Sequence, residues 1–281
     1  MTEQAREVQG GGTWGSREAA AEWRRGAAAR LQAFGPATEM MLDLAGVAEG
    51  SRVLDVGAGA GDSAVVAAQR AGPTGRVLAT DVSRSMLEAA AESARQRGLN
   101  NVDTRVVDAQ RLDLAPDSFD AAVSRNCLML IPDCRRALIS IRRVLKPGGR
   151  FAAIVFSAPG RCPYLSLPHA IVFRIGRFTS PAPEEFGEFR LAAPGVLEDA
   201  FGTAGFREMS VRAVPTRRRF PSLAEAMQYA RGPLPLRELM ARLSRAEQEQ
   251  AWAEIERALA QFAGPQGYDS PCELLIGVGT K

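Results

Sequence analysis

Three glycines at alternate positions, Gly57, Gly59 and Gly61, close the run Val53-Leu-Asp-Val-Gly-Ala-Gly-Ala-Gly-Asp62, where a strand should end and a helix begin. Glycines there let the backbone turn tightly and approach a ligand without a side-chain clash. The helix that follows offers unpaired N–H donors. The pattern is G-x-G-x-G. It is neither the dinucleotide fingerprint G-x-G-x-x-G nor a phosphate-binding loop with its Lys-Ser/Thr, which favours a ligand that need not carry a pyrophosphate. Asp81 ends the next apolar run, 20 positions after Gly61. A carboxylate at that distance accepts hydrogen bonds from a ribose diol; a solvated strand-end aspartate and a glycine turn without a ligand are the plainer readings. Asp108-Ala109 and Ser124-Arg125-Asn126 end two later strands. In an open parallel sheet such ends lie on one side, where ligands bind.

The elements that must position these residues alternate. Apolar runs at 51–56, 75–80, 102–107, 119–124 and 150–156 read as strands, with helices expected over 61–71, 83–97 and 133–145. Ser83 is the expected N-cap of the second of these helices. Pro147-Gly148-Gly149 is the expected stop of the third. Strands alternating with helices give a parallel sheet with helices on both faces. Upstream, residues 16–34 and 36–45 read as two helices, with Pro36 in the first turn of the second. Downstream, the rhythm breaks over a proline-rich stretch, resumes with a helix near 194–204 and a strand near 207–214, and becomes helical over 222–263. Ser222-x-x-Glu225 and Ser244-x-x-Glu247 are two capping boxes there. A terminal strand follows at 272–279.

The expected organisation is a flexible tail (1–13), N-terminal helices covering the cleft (14–50), an α/β core (51–156), a cap insertion (157–192), a core continuation (193–221), a helical cap (222–263) and a terminal core strand (264–281). The apolar faces of helices at 222–263 suit either pairing between chains or cover for the chain's own pocket.

Composition narrows the class. In 281 residues, 46% are hydrophobic and 24% charged, which fits a globular protein and excludes a disordered, collagen-like or disulfide-rich chain. A net charge of +3 gives no nucleic-acid signature. The cysteines Cys127, Cys134, Cys162 and Cys272 form no C-x-x-C pair, and His169 is the sole histidine, which argues against a metal centre. Dispersed cysteines, a polar N-terminus and the lack of an 18-residue apolar stretch point to a cytoplasmic protein without a membrane span.

Five ordered motifs now carry a resemblance: Val53–Gly61, Thr80-Asp-Val-Ser-x-x-Met86-Leu87, Val107-Asp-Ala109, Ser118-Phe-Asp-Ala-Ala122 and Arg143-Val-Leu-Lys-Pro-Gly-Gly149. Together they resemble the class I S-adenosylmethionine-dependent methyltransferases, especially the group similar to ubiquinone/menaquinone-biosynthesis and small-molecule enzymes (methyltransferase type 11). The resemblance covers residues 36–156 well and 194–214 more loosely. It implies a Rossmann-like, mostly parallel seven-stranded α/β sheet with the last strand antiparallel, plus helical cap insertions. It also implies S-adenosylmethionine as cofactor and S-adenosylhomocysteine as product. Gly57, Gly59 and Gly61 would pass under the methionine part, with Ala58 and Ala60 where the group often has Cys and Thr. Asp55 would orient the ammonium, Asp81 the ribose hydroxyls, and Val82 and Met86 would flank the adenine. Asp108 would accept from the adenine amino group beside the Ala109 backbone. Asn126 or the Arg125 backbone would lie near the methionine end.

Methyl transfer from a sulfonium chiefly demands alignment and exclusion of water; a phenol, hydroxyl or ammonium acceptor also needs a base. His169, in the insertion after strand five, has the side chain for it, and a packing histidine beside Pro168 is the alternative. Tyr164 and Tyr229 are weaker candidates, pocket walls or packing otherwise. Trp14 and Trp23 would either close over the cofactor or pack their helix. Glu184-Glu185 reads as a solvated pair, and Arg217-Arg218-Arg219 as an anion site or a solvated strand end. Ser124-Arg-Asn-Cys127 lacks the prolines of nucleic-acid amino-methylating enzymes, and the ends of strands four and five lack the acids of metal-dependent catechol-type enzymes. The expected reaction is metal-independent transfer to a small, partly apolar acceptor such as a natural-product phenol or polyketide, a quinone precursor or a lipid-like amine. A cofactor-holding module without transfer, a relative using the cofactor for other chemistry, and an enzyme with a macromolecular acceptor are the alternatives.

Overall fold

The computed structural model describes residues 17–179, 187–232 and 234–281. The expected tail, Trp14 and Glu184-Glu185 lie outside the described residues. Two helices, α1 (Arg17–Arg25) and α2 (Ala27–Leu44), lead into β1 (Arg52–Val56), α3 (Asp62–Ala71), β2 (Arg76–Asp81), α4 (Arg84–Gln96), β3 (Val102–Val106), β4 (Phe119–Arg125), α5 (Cys134–Val144) and β5 (Leu145–Phe156). Then come α6 (Pro163–Ile175), α7 (Val196–Thr203), β6 (Arg207–Phe220), α8 (Leu223–Ala230), α9 (Leu234–Ala241), α10 (Arg245–Ala260), the two-residue β7 (Ala263–Gly264) and β8 (Gly267–Thr280).

The strands form one sheet in the order β3-β2-β1-β4-β5-β8-β6, with β7 hydrogen-bonded to β8 beside this path. The pairs from β3 to β5 are parallel, and β8 runs antiparallel to both β5 and β6. This is the mixed α/β, Rossmann-like sheet that the motifs imply. Its central strands carry continuous apolar runs because helices cover both faces. Val53, Leu54, Val123, Phe151 and Ile154 are fully buried. Reversal of strand order between β1 and β4 opens the crevice at their carboxyl ends.

A second apolar cluster gathers Tyr164, Val172, Phe220, Ala226, Ile255 and Tyr268 from α6, α8, α10 and the outer ends of β6 and β8. Ser244 and Glu247 make the reciprocal capping box of α10, and the Ser222 hydroxyl accepts the Glu225 N–H at the start of α8.

Four boundaries depart from the sequence reading. The break between the first two helices falls at Gly26, not before Pro36, which lies inside α2. A Cβ on Gly26 would stand 2.5 Å from Tyr229 Cε2, so contact with a distant helix decides the joint. Second, β5 starts at Leu145, and Lys146-Pro-Gly-Gly149 belong to it across a register shift against β4. Gly149 is needed there, because a Cβ would meet the Asp120 and Lys146 carbonyl oxygens at 2.9 Å. Third, β6 continues to Phe220 because β8 begins at Gly267 and pairs with it along its length. Finally, the two-residue β7 adds an eighth strand to the expected seven.

Candidate active site

The loop after β1 takes the backbone its glycines permit: φ is +68° at Gly57, +53° at Gly59 and +87° at Gly61. Neighbours leave no room for a side chain at Gly57 or Gly61. A Cβ on Gly57 would lie 2.0 Å from Cys127 Sγ, and one on Gly61 would lie 2.8 Å from Ala90 Cβ. A Cβ on Gly59 would come within 3.5 Å of Trp23 Nε1, so α1 lies against the loop. Trp23 packs there with Ala20, Ala60, Met86 and Ala89. Met86 is buried, whereas Val82 is half-buried.

Hydrogen bonds fix the loop from β2. Ala58 N–H donates to Thr80 O at 2.9 Å, and Gly59 N–H donates to Asp81 Oδ2 at 2.9 Å. Asp81 Oδ1 accepts the Ser83 N–H at the start of α4. Burial raises the Asp81 pKa, and these backbone donors oppose the shift without cancelling it.

Asp55 is the deepest carboxylate. It is fully buried, its Oδ2 accepts from Ser63 Oγ at 2.7 Å, and its Oδ1 has no partner. Burial pushes its pKa up to about 6 against the Ser63 bond and the Arg125 charge. A buried, orphaned carboxylate oxygen below a glycine loop fits an ammonium donor, directly or through water. Asn126 adds another unpaired buried oxygen, Oδ1, on a residue held at φ +53°. Both observations fit the amino-acid end of S-adenosylmethionine.

Asp108 caps the 3-10 turn Ala109–Arg111 by accepting the Gln110 N–H, and the Gln110 amide reaches both its carboxylate oxygens. Asp108 and Ala109 are half-buried beside the crevice.

Sequence reasoning missed the ionic centre next to this loop. Asp62 Oδ2 accepts from Arg30 Nε and Arg125 Nη2, both at 2.8 Å. Burial would raise the Asp62 pKa, but the two guanidiniums outweigh it and hold it below the usual carboxylate range. Arg125 thus uses its side chain, not only its backbone, and also reaches Thr38 Oγ1. Arg30 sits in an alanine-rich helix with no local signal to mark it. Its guanidinium lies 4.1 Å from the Trp23 ring centroid.

The two proposed catalytic side chains lie apart in role. Tyr164 is buried, its hydroxyl donates to Ala226 O at 2.7 Å, and burial drives its pKa far upward. That geometry makes it a packing residue of the second apolar cluster. His169 Nδ1 lies 2.9 Å from Leu165 O, which requires a proton on Nδ1. Its Nε2 is buried, without a hydrogen-bond partner, and 3.6 Å from Glu188 Oε2. Among the described residues, no group of three or more His, Cys, Asp or Glu is placed to hold a metal. No described helix is long and apolar enough to cross a membrane.

Three comparisons bear on this site. Residues 48–167 match a family model described as a methyltransferase domain. The chain is 33% identical over 178 residues to a ubiquinone/menaquinone biosynthesis C-methyltransferase of Serratia proteamaculans, covering 59% of this chain and 70% of that one. It is 32% identical over 209 residues to the nocamycin O-methyltransferase of Saccharothrix syringae, covering 70% and 73%. Other C-methyltransferases of the first description are matched over 119 residues, 46% of their own length. Among solved structures, the YcgJ protein of a Bacillus species superposes with a TM-score of 0.58 at 21% identity, covering 87% of this chain and 97% of that one, a likeness of fold.

Proposed function

The chain belongs to the class I S-adenosylmethionine-dependent methyltransferases, and from that premise we propose that it transfers the methyl group, without a metal, to a small and partly apolar acceptor. One constellation carries the reading: three left-handed glycines over an orphaned Asp55 oxygen, with Asp81 tied to the same loop.

The cofactor supplies a methyl already activated on a sulfonium. The chain's residues then bind, align and exclude water. Gly57, Ala58, Gly59 and Gly61 provide a backbone cradle. Asp55 and Asn126 offer unpaired acceptors to the amino-acid end, and Arg125, neutralised by Asp62, stands behind them. Asp81 would meet the ribose, Val82 and Met86 the adenine face, and Asp108 with Ala109 the adenine edge. The N-terminal helices and both cap segments close the crevice.

The aromatic packing supports a partly apolar acceptor. Phe34 meets Phe156, at the carboxyl end of β5, with ring centroids 6.0 Å apart, and Phe189 meets Phe156 at 6.3 Å. Where the acceptor is a hydroxyl, His169 is the candidate base, because the protonated Nδ1 leaves the Nε2 lone pair available in the neutral ring. Glu188 would stabilise the imidazolium that forms. A natural-product phenol or polyketide and a quinone precursor both suit such walls. The four free thiols suit the reducing cytoplasm.

Native mass spectrometry of the protein with methyl-labelled S-adenosylmethionine and pooled metabolite extracts tests this. Label appearing on one small metabolite, with S-adenosylhomocysteine formed alongside, is expected. Bound cofactor without any labelled product from any extract would overturn the transfer reading.

A further inference from the structure

Strand alternation sorts the arginine run of β6. Arg217 and Arg219 are half-exposed and share Asp269. Arg218 points the other way and is only 5% exposed. Among the described residues, no carboxylate pairs with it. Its Nε and Nη1 are buried without hydrogen-bond partners. Four rings surround the guanidinium, with Phe34, Tyr164, Phe220 and Tyr229 centroids at 5.1–5.7 Å.

A run of side-chain contacts ties this cation to the glycine loop. Tyr229 bridges it to Arg30: both guanidiniums bear on the Tyr229 hydroxyl, and Arg30 continues to Asp62 next to the glycine loop. Burial would raise the Tyr229 pKa, yet the two positive charges hold it below the ordinary phenol value. Arg30, Arg125 and Arg218 are all largely buried, and the first two share the single carboxylate of Asp62. Arg218 is the one of the three that meets no carboxylate among the described residues. Buried charges persist when they are paired, and a buried guanidinium with donors left free suits a carboxylate. Aromatic rings flanking the guanidinium suit a flat, apolar body attached to that carboxylate.

We propose that Arg218 is the anion-binding residue of the acceptor site, and that the acceptor is an aromatic acid whose carboxylate pairs with the guanidinium charge and accepts from the free Nη1. The inference rests on the methyl-transfer reading above and narrows its acceptor class.

The test compares benzoate, 4-hydroxybenzoate and 2-naphthoate with their uncharged amides, read as thermal shifts of the full chain saturated with S-adenosylhomocysteine. The acids should raise the unfolding midpoint and the amides should not. Arg218→Met should abolish the difference, leave cofactor affinity unchanged, and raise the ligand-free midpoint by removing an unpaired buried charge. Arg218→Lys, which keeps the charge but loses the planar guanidinium, should weaken acid binding ten-fold or more, and it stands in if the methionine variant does not fold. Equal response to acids and amides, or a difference that survives in Arg218→Met, would overturn the proposal. Acid-selective binding with no methyl transfer to any extract would instead overturn the transfer reading and leave the anion site standing.

Discussion

The Asp81 carboxylate accepts the backbone N–H of Gly59 at 2.9 Å, so the residue that ends the second strand also holds the loop leaving the first. A side chain expected only to face a ribose therefore has a second task. Asp81→Ala should weaken S-adenosylmethionine binding by about 1–3 kcal/mol, the usual cost of a lost charged hydrogen bond. Amide exchange at Gly59 should quicken in the same variant. Calorimetry showing unchanged affinity would sink the ribose assignment, and unchanged exchange would sink the loop-holding one.

Asp55 makes fold stability and cofactor affinity respond to pH in opposite senses. Its carboxyl ionises at about 6 in the folded protein, against an ordinary 3.8. The folded state therefore binds the proton more tightly than the unfolded state. Stability from this group is highest below about pH 4 and falls as pH rises to about 6, by on the order of 3 kcal/mol. Asp55→Asn should flatten that part of the profile in denaturant titrations of the ligand-free chain. An ammonium partner favours the ionised form, so cofactor affinity should weaken as pH falls below about 6. A pH-independent dissociation constant between pH 5 and 7 would refute the Asp55 role.

Gly57 tests the cradle sterically. Gly57→Ala adds a Cβ at positive φ, 2.0 Å from Cys127 Sγ and 2.6 Å from Cys127 Cβ. Strain and overpacking together should cost about 3 kcal/mol. Cys127→Ala should rescue little, because its Cβ remains, while Cys127→Gly should recover part of the loss. Full rescue by the alanine would mean that the sulfur alone sets the fit.

His169→Ala should abolish turnover of a hydroxyl acceptor while cofactor affinity holds. Glu188→Gln should lower kcat less than His169→Ala does. Turnover that survives His169→Ala would leave alignment alone as the source of the rate.

The core was legible because its signals are local. Glycines at 57, 59 and 61, a capping serine at 83 and strand-end acids at 55, 81 and 108 each declare a backbone need within a few residues. The joint at Gly26 was not legible, since the tightest neighbour of a side chain there is Tyr229, some two hundred positions later. Arg30 shows the same limit: nothing near it announces a partner at Asp62.

The sequence by itself determined the alternating strands and helices of the core and the glycine cradle, because short-range spacing and burial pattern are enough for a parallel α/β sheet, and the resemblance its five motifs carry implied the cofactor class. Tertiary structure alone decided which charges meet. The arginine run at 217–219 reads as one patch in sequence; pairing of β6 with β8 turns two of its members toward Asp269 and buries the third among aromatic rings. That choice follows from the two-residue period of a strand, whose frame is set only when a distant strand pairs with it.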